Sequence, residues 1–275
     1  MPWFPDFTNA LELVRRQTRA AGLADPAAQY LRALNDGDAH LLETVWPGDV
    51  VVHDPRAGLI RGHRRLRQFI RGNHSWLAAR DAQIETLAST SHADRAVLEL
   101  VAHLRGDDGQ RVAWPVAVVC ETPDDRSVVF RSYCSQVPVD GRHHLRPAIL
   151  PPGDARPPEV VSRYLAAQDA GDAATLVDTF ADDGYFREPI GPRAEHRGTA
   201  ELLAFFTAQL DAGGVGLQQC TITDDGLRCV SEYNCVRWGR EDLPPQAGLA
   251  VYERGADGLL AAVRVYDDVD PSRHG

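Results

Sequence analysis

The chain has 275 residues, 44% of them hydrophobic and 25% charged, an ordinary globular balance with room for two domains. Lys and Arg total 29 against 39 Asp and Glu, a net charge of -10, which argues against a nucleic-acid partner or a polybasic membrane surface. No apolar run approaches the roughly 18–20 residues of a membrane span. The opening Met1-Pro2-Trp3-Phe4-Pro5-Asp6 lacks a basic segment followed by an apolar one, so no secretory leader is expected. Residues 1–25 predict one amphipathic extension helix carrying Leu11, Val14 and Arg15-Arg16. Cys120, Cys134, Cys220, Cys229 and Cys235 are an odd set without a C-x-x-C pair, which fits free thiols and a cytoplasmic location.

After the extension, the chain is written twice. Residues 30–38 read YLRALNDGD and residues 164–172 read YLAAQDAGD, identical at five of nine positions. Asp54-Pro55 lies 24 residues after Tyr30, and Glu188-Pro189 lies 24 residues after Tyr164. Arg61-Gly62 matches Arg197-Gly198, and Arg131-Ser132-Tyr133 matches Arg264-Val265-Tyr266. A period this long is a duplicated domain, not a solenoid unit. The repeats predict domains at 26–138 and 158–275. Between them, 139–157 is rich in Pro, Gly and charge and reads as a linker or surface strap.

Each copy predicts the same elements. A helix carries Tyr30 or Tyr164 and stops at Gly37 or Gly171, and Asp38 or Asp172 caps a short second helix. A β-rich stretch ends at the acid-proline pair, and a third helix follows with Leu66, Phe69 and Ile70, or Leu202, Leu203, Phe205 and Phe206. The period then falls to two through four strands per copy, broken by turns such as 106–109 and 224–226. Three helices before an antiparallel meander is an α+β pattern, and a sheet wrapped over helices leaves an apolar pocket.

Those residues carry a resemblance. The second copy, with VVSRYLAAQDAGDAATLVDTFADDGYFREPIGP, HRGTAELLAFF and ADGLLAAVRVYDD, resembles a Δ5-3-ketosteroid isomerase. The first copy, with QYLRALNDGD, VVVHDPRAG and LIRG, resembles it more loosely. Both look like SnoaL-like domains of the nuclear-transport-factor-2-like superfamily. The resemblance implies two tandem cone-shaped domains, each with three helices on a curved, mostly antiparallel sheet, forming an intramolecular pseudo-dimer. The chain would be a monomer of that kind, or a homodimer.

In such isomerases the acid before proline is the base, a role that maps to Asp54 and Glu188. The first-helix tyrosine donates to the developing enolate oxygen and maps to Tyr30 and Tyr164. Val118 and Ala250 stand where the family's second donor, a protonated aspartic acid, would be. The tandem layout is also similar to polyether epoxide hydrolases, which pair the acid before proline with an acid on the first meander strand. Asp54 with Glu85 fits that pairing, while the second copy has Gln218 at the matching place. Trp114, Tyr133, Tyr233, Trp238 and Tyr266 are candidate substrate-binding aromatics.

The expectation is a cofactor-independent isomerase or cyclase acting on a hydrophobic, oxygenated small molecule, of polyketide-like biosynthetic class by resemblance. Carboxyl and phenol groups suffice for that chemistry, so no cofactor and no metal is expected. Epoxide opening and non-catalytic ligand binding are the alternatives. Structural readings stand beside each residue: acid-proline pairs end strands, buried tyrosines pack cores, and Glu85 suits a solvated strand face. His53 alternates away from Asp54 and His103 reads as a sheet-surface residue, while His143-His144 in the linker forms no metal motif.

Overall fold

The computed structural model describes residues 26–268, so the extension helix expected at 1–25 lies outside the described residues. The elements follow the repeat. The first copy runs α1 (Pro26–Asp36), α2 (His40–Val45), β1 (Val50–Asp54), β2 (Gly58–Arg61), α3 (His63–Ala79), β3 (Gln83–His92), β4 (Arg95–Arg105), β5 (Arg111–Glu121) and β6 (Val128–Tyr133). A single turn, α4 (Val137–Asp140), opens the linker. The second copy runs α5 (Glu159–Ala170), α6 (Ala173–Val177), β7 (Phe180–Arg187), β8 (Glu195–Arg197), α7 (Gly198–Gln209), β9 (Val215–Asp224), β10 (Arg228–Trp238), β11 (Glu241–Arg254) and β12 (Leu260–Val265).

Two six-stranded sheets result, in the orders β2-β1-β6-β5-β4-β3 and β8-β7-β12-β11-β10-β9. The α+β expectation of two tandem domains is met. The sheets differ from a pure meander in one respect. β1 runs parallel to β6 and β7 parallel to β12, because the helices carry the chain across between them. The short strands β2 and β8 hairpin back on β1 and β7; four and three residues are too few to show a period in sequence.

Three of the four helix ends form as the sequence predicts. Gly37 and Gly171 take left-handed φ values of 68° and 76°. Asp172 Oδ1 accepts from the Thr175 N–H at 3.0 Å, capping α6. Asp38 does not cap α2: Ala39 holds the N-cap position without a side-chain bond, and Asp38 Oδ1 accepts the His40 N–H at 2.9 Å from one residue further out.

The described chain divides into two compact units. The first holds residues 26–79, 94–96 and 118–132. In it α1 and α2 pack together, and α3 lies against α1, β1 and β2. Tyr30 stacks on Phe130 with ring centroids 4.3 Å apart, and Leu42, Trp46, Leu66 and Ile70 of the same unit are fully buried. The second unit holds 80–93, 97–117 and 133–268 of the described residues, so it includes β3 and most of β4 and β5 as well as the whole second copy. Its core is aromatic. Tyr164 meets Tyr252, Phe180 and Phe206 edge-on at 5.4, 5.9 and 6.2 Å. Each such buried ring contributes on the order of 2 kcal/mol by removal from water.

Within this second unit two buried acids receive tyrosine hydroxyls in matching fashion. Tyr133 donates to Glu232 Oε1 at 2.8 Å, and Tyr266 donates to Glu99 Oε2 at 2.6 Å. The repeat aligns Tyr133 with Tyr266 and Glu99 with Glu232, so each contact is the other with the copies exchanged. Arg264 adds two bonds to Glu99, at 2.6 and 2.9 Å. The linker is strapped to the same unit: Ala148 N–H donates to Pro245, Ala247 N–H to Arg146 and Gly153 N–H to Gln219.

Candidate functional site

The second copy holds an open-mouthed cavity of about 450 Å³, a size that takes a drug-sized molecule. α5 supplies Tyr164 and Gln168, α7 supplies Phe205, Phe206 and Gln209, and the sheet supplies Phe186, Tyr233, Trp238 and Tyr252. The wall is mostly apolar and its polar groups are few, so each one matters to what the cavity can do.

Glu188 sits at the end of β7 and lines the cavity with its side chain 28% exposed. Its Oε1 pairs with His196 Nε2 at 3.0 Å. β8 brings His196 there by pairing it with Phe186, two residues before Glu188. Phe205 stacks on the imidazole with centroids 4.0 Å apart, which fixes the ring that fixes the carboxyl. Tyr164 lies in the same cavity, fully buried, and burial pushes its phenol above the usual tyrosine range.

A buried acid of the cavity wall is Asp267, just past β12. The Tyr233 hydroxyl donates to its Oδ1 at 2.6 Å, and the Leu249 N–H donates at 3.3 Å. Burial pushes the Asp267 carboxyl up to about 7; those two hydrogen bonds pull it down, and neighbouring Asp268 pushes it further up. Burial first, and then Asp267, also raise Tyr233. Cys235 lines the cavity as well, and burial pushes its thiol up to about 12, so it remains an unreactive thiol. Asp268 and, from the linker, His143 complete the polar wall.

The first copy is different. Tyr30 is buried, and its phenol is raised by burial, by the charge of Asp54 and against a hydrogen bond from Ser132. The Asp54 carboxyl, however, serves a turn: its Oδ1 accepts the N–H groups of Arg56 at 2.9 Å and Ala57 at 2.7 Å.

Of the residues expected from sequence, Glu188, Tyr164, Tyr233 and Trp238 meet in one cavity. Others go elsewhere. Glu85 lies on the open face of β3, its side chain 62% exposed and paired with His103 at 3.1 Å, so the acid that epoxide opening needs is in solvent. Tyr133 and Tyr266 commit their hydroxyls to Glu232 and Glu99, and Trp114 donates to the Ser135 carbonyl at 2.6 Å; none of the three lines this cavity. Sequence reasoning missed His196, Asp267, Asp268 and Tyr252. A signal existed for the two acids. The repeat register sets Cys134-Ser135 against Asp267-Asp268, so the acids belong to the second copy alone. Among the described residues no group of three or more His, Cys, Asp or Glu could hold a metal, and no helix is long and apolar enough to cross a membrane.

Comparison with known proteins follows the repeat. The SnoaL-like domain pattern matches residues 27–130 and again 161–263. A Sinorhizobium meliloti protein with a provisional polyketide cyclase designation is 23% identical, covering 40% of this chain and 94% of its own, with a TM-score of 0.34. An NTF2-like protein from Cytophaga hutchinsonii is 12% identical, covering 42% and 95%, with a TM-score of 0.33. A SnoaL-like protein from Burkholderia thailandensis is 16% identical, covering 40% and 92%, with a TM-score of 0.33. No curated protein sequence is significantly similar.

Proposed function

The chain belongs to the SnoaL-like family, with one such domain in each half, and we propose that its second domain is an acid–base catalyst. The reaction is proton transfer next to a carbonyl, leading to isomerisation or ring closure of a hydrophobic, oxygenated small molecule. A polyketide-like intermediate is the substrate class we favour. The observation that carries this reading is the placement of Glu188 and the Tyr233–Asp267 pair in the wall of one apolar cavity.

The chemistry follows from that wall. Glu188, held by His196, takes a proton from carbon and later returns it to another carbon or to the closing ring. The electron pair left behind moves onto the carbonyl oxygen. Tyr164 is the phenol placed to donate to that oxygen; the Tyr233 hydroxyl already donates to Asp267, and it turns to the substrate only when Asp267 carries the proton and donates in its place. The surrounding rings shield Tyr164, Tyr233 and Asp267, which strengthens their interactions, while Glu188 is partly exposed. Ring closure gains further from confinement of a flexible chain in a reactive shape.

The test uses 2-tetralone, an apolar ketone with acidic C–H bonds next to its carbonyl, in heavy water. NMR follows deuterium entering that position. The protein accelerates exchange over buffer, and Glu188→Gln abolishes the acceleration while the fold, followed by circular dichroism, is retained. Equal exchange by the folded Glu188→Gln variant overturns the reading.

A further inference from the structure

Two carboxamides line the cavity besides its acids and phenols. Gln168 stands four residues after Tyr164 on α5, and Gln209 four residues after Phe205 on α7. That spacing puts each amide on the same helix face as a cavity-lining ring, one turn further on. Both glutamines are half-buried, so surface is left for a ligand to touch. Among the described residues neither side chain is held by a hydrogen bond. The first copy has the buried Leu34 at the repeat position of Gln168, so the helix packs there without an amide. The two amides also belong to one end of the cavity. Arg237 ties the helix ends together, with Nη2 donating to the Asp169 carbonyl at 2.8 Å and Nη1 to the Gly214 carbonyl at 3.0 Å. The Gly213 N–H turns back onto the Leu210 carbonyl at 2.9 Å, next to Gln209. One turn earlier, Tyr164 stands on α5, and on α7 Phe205 stacks on the His196 that holds Glu188. The amides therefore lie about 6 Å along the helices from the reacting groups.

We propose that Gln168 and Gln209 form a second subsite, which reads an uncharged oxygen group on the substrate, a carbonyl, ether or hydroxyl, one helical turn away from the reacting carbonyl. This rests on the same cavity as the proposed catalysis and adds a demand that catalysis does not make. An amide donates through its N–H₂ and accepts through its oxygen, so it pairs with any of these groups. The lining residues include no Arg or Lys to receive a carboxylate. An apolar tail that enters this end displaces water from the amides and leaves them unpaired, whereas an oxygen group takes the water's place. Rejection of the molecule that lacks the matching group is the sharpest discrimination a polar site achieves. The substrate therefore carries two oxygen functions on a hydrocarbon body, one reacting near Glu188 and one received by the amides.

The experiment compares three probes by isothermal titration: 6-hydroxy-, 6-methoxy- and 6-ethyl-2-tetralone. All keep the ketone at one end and differ only at the other. The protein is expected to bind at least one of the two oxygenated probes about tenfold tighter than the ethyl compound. Preference for the hydroxyl shows that the amides accept, and preference for the methoxy group shows that they donate. Equal affinity for all three, or preference for the ethyl compound, overturns the proposal without any variant. Joint replacement by Gln168→Leu and Gln209→Leu sharpens the test, with folding checked by circular dichroism. The oxygen preference then disappears and the ethyl compound gains. A folded double variant that retains the original preference also overturns the proposal. Binding and deuterium exchange fail separately. Lost exchange with the oxygen preference intact removes the catalytic reading alone, and intact exchange without the preference removes the amide subsite alone.

Discussion

The Tyr233 hydroxyl stands 2.6 Å from Asp267 Oδ1, a buried phenol–carboxyl pair in the second domain. The groups facing the acid are Tyr233, Tyr252, Cys235 and Asp268, with His143 behind Asp268. Burial raises Asp267 to about 7 in the folded protein, whereas an unfolded aspartate titrates near about 3.9. Between those values the folded state holds one proton more than the unfolded state. Stability from this group is therefore complete below about pH 4 and is lost as pH rises through about 7. Asp267→Asn removes that dependence. In urea denaturation at pH 5 and pH 8, the wild type should lose a few kcal/mol relative to the variant at the higher pH. Parallel profiles for the two proteins would show that Asp267 does not titrate there.

Gly248 makes that pair possible. β11 sets it directly opposite Tyr233 on β10. A Cβ at this position would run into Cε2 of Tyr233 and stand 2.5 Å from Oδ2 of Asp267. Gly248→Ala must push the ring or the carboxyl aside inside a packed wall, which costs roughly 1–3 kcal/mol. It should also reduce 2-tetralone exchange, since the donor pair is displaced. Denaturation and exchange measured on one preparation check both outcomes, and an alanine variant as stable and active as the parent contradicts the close approach.

Much of this architecture was legible in the sequence because it was written twice. The capping residues Gly171 and Asp172, the acid-proline strand ends and the period-two strands each use local chemistry that a single stretch of chain reveals. β8 was hidden because three residues carry no period, and with it went His196, whose role exists only through its pairing with β7. Tyr133 and Tyr266 looked like pocket aromatics because their partners, Glu232 and Glu99, lie 99 and 167 residues away. Asp267-Asp268 stood in plain view beside Tyr266. Their contrast with Cys134-Ser135 was the available signal, and only burial turns that contrast into chemistry.

Asp54 and Glu188 share a repeat position and should respond differently. Two backbone N–H groups lean on Asp54 Oδ1 where β1 turns into β2. Asp54→Ala leaves both without an acceptor and should cost about 0.5–2 kcal/mol, the range of a lost capping side chain. Asp54→Asn keeps an acceptor oxygen in place and should cost little. Chemical denaturation of the two variants decides it: equal losses would mean that the charge, and not the turn, is what the position supplies.

Glu99 offers the sharpest test of the second unit's interior. It receives two bonds from Arg264 and one from Tyr266 while only 1% exposed. Removing one partner of such a pair strands the other charge in a poor solvent, so Glu99→Leu should cost about 3–5 kcal/mol. Arg264→Met should cost a similar amount, moderated by Glu253, which also bonds Arg264 at 3.0 Å and would be left with Arg228 alone. Both changes together remove the stranded charge, so the double variant should be far more stable than the sum of the single losses allows. Urea denaturation of the four proteins gives the coupling directly. Simple additivity would mean that the two side chains do not depend on one another, and the shared burial of Glu99 and Arg264 would then need another cause.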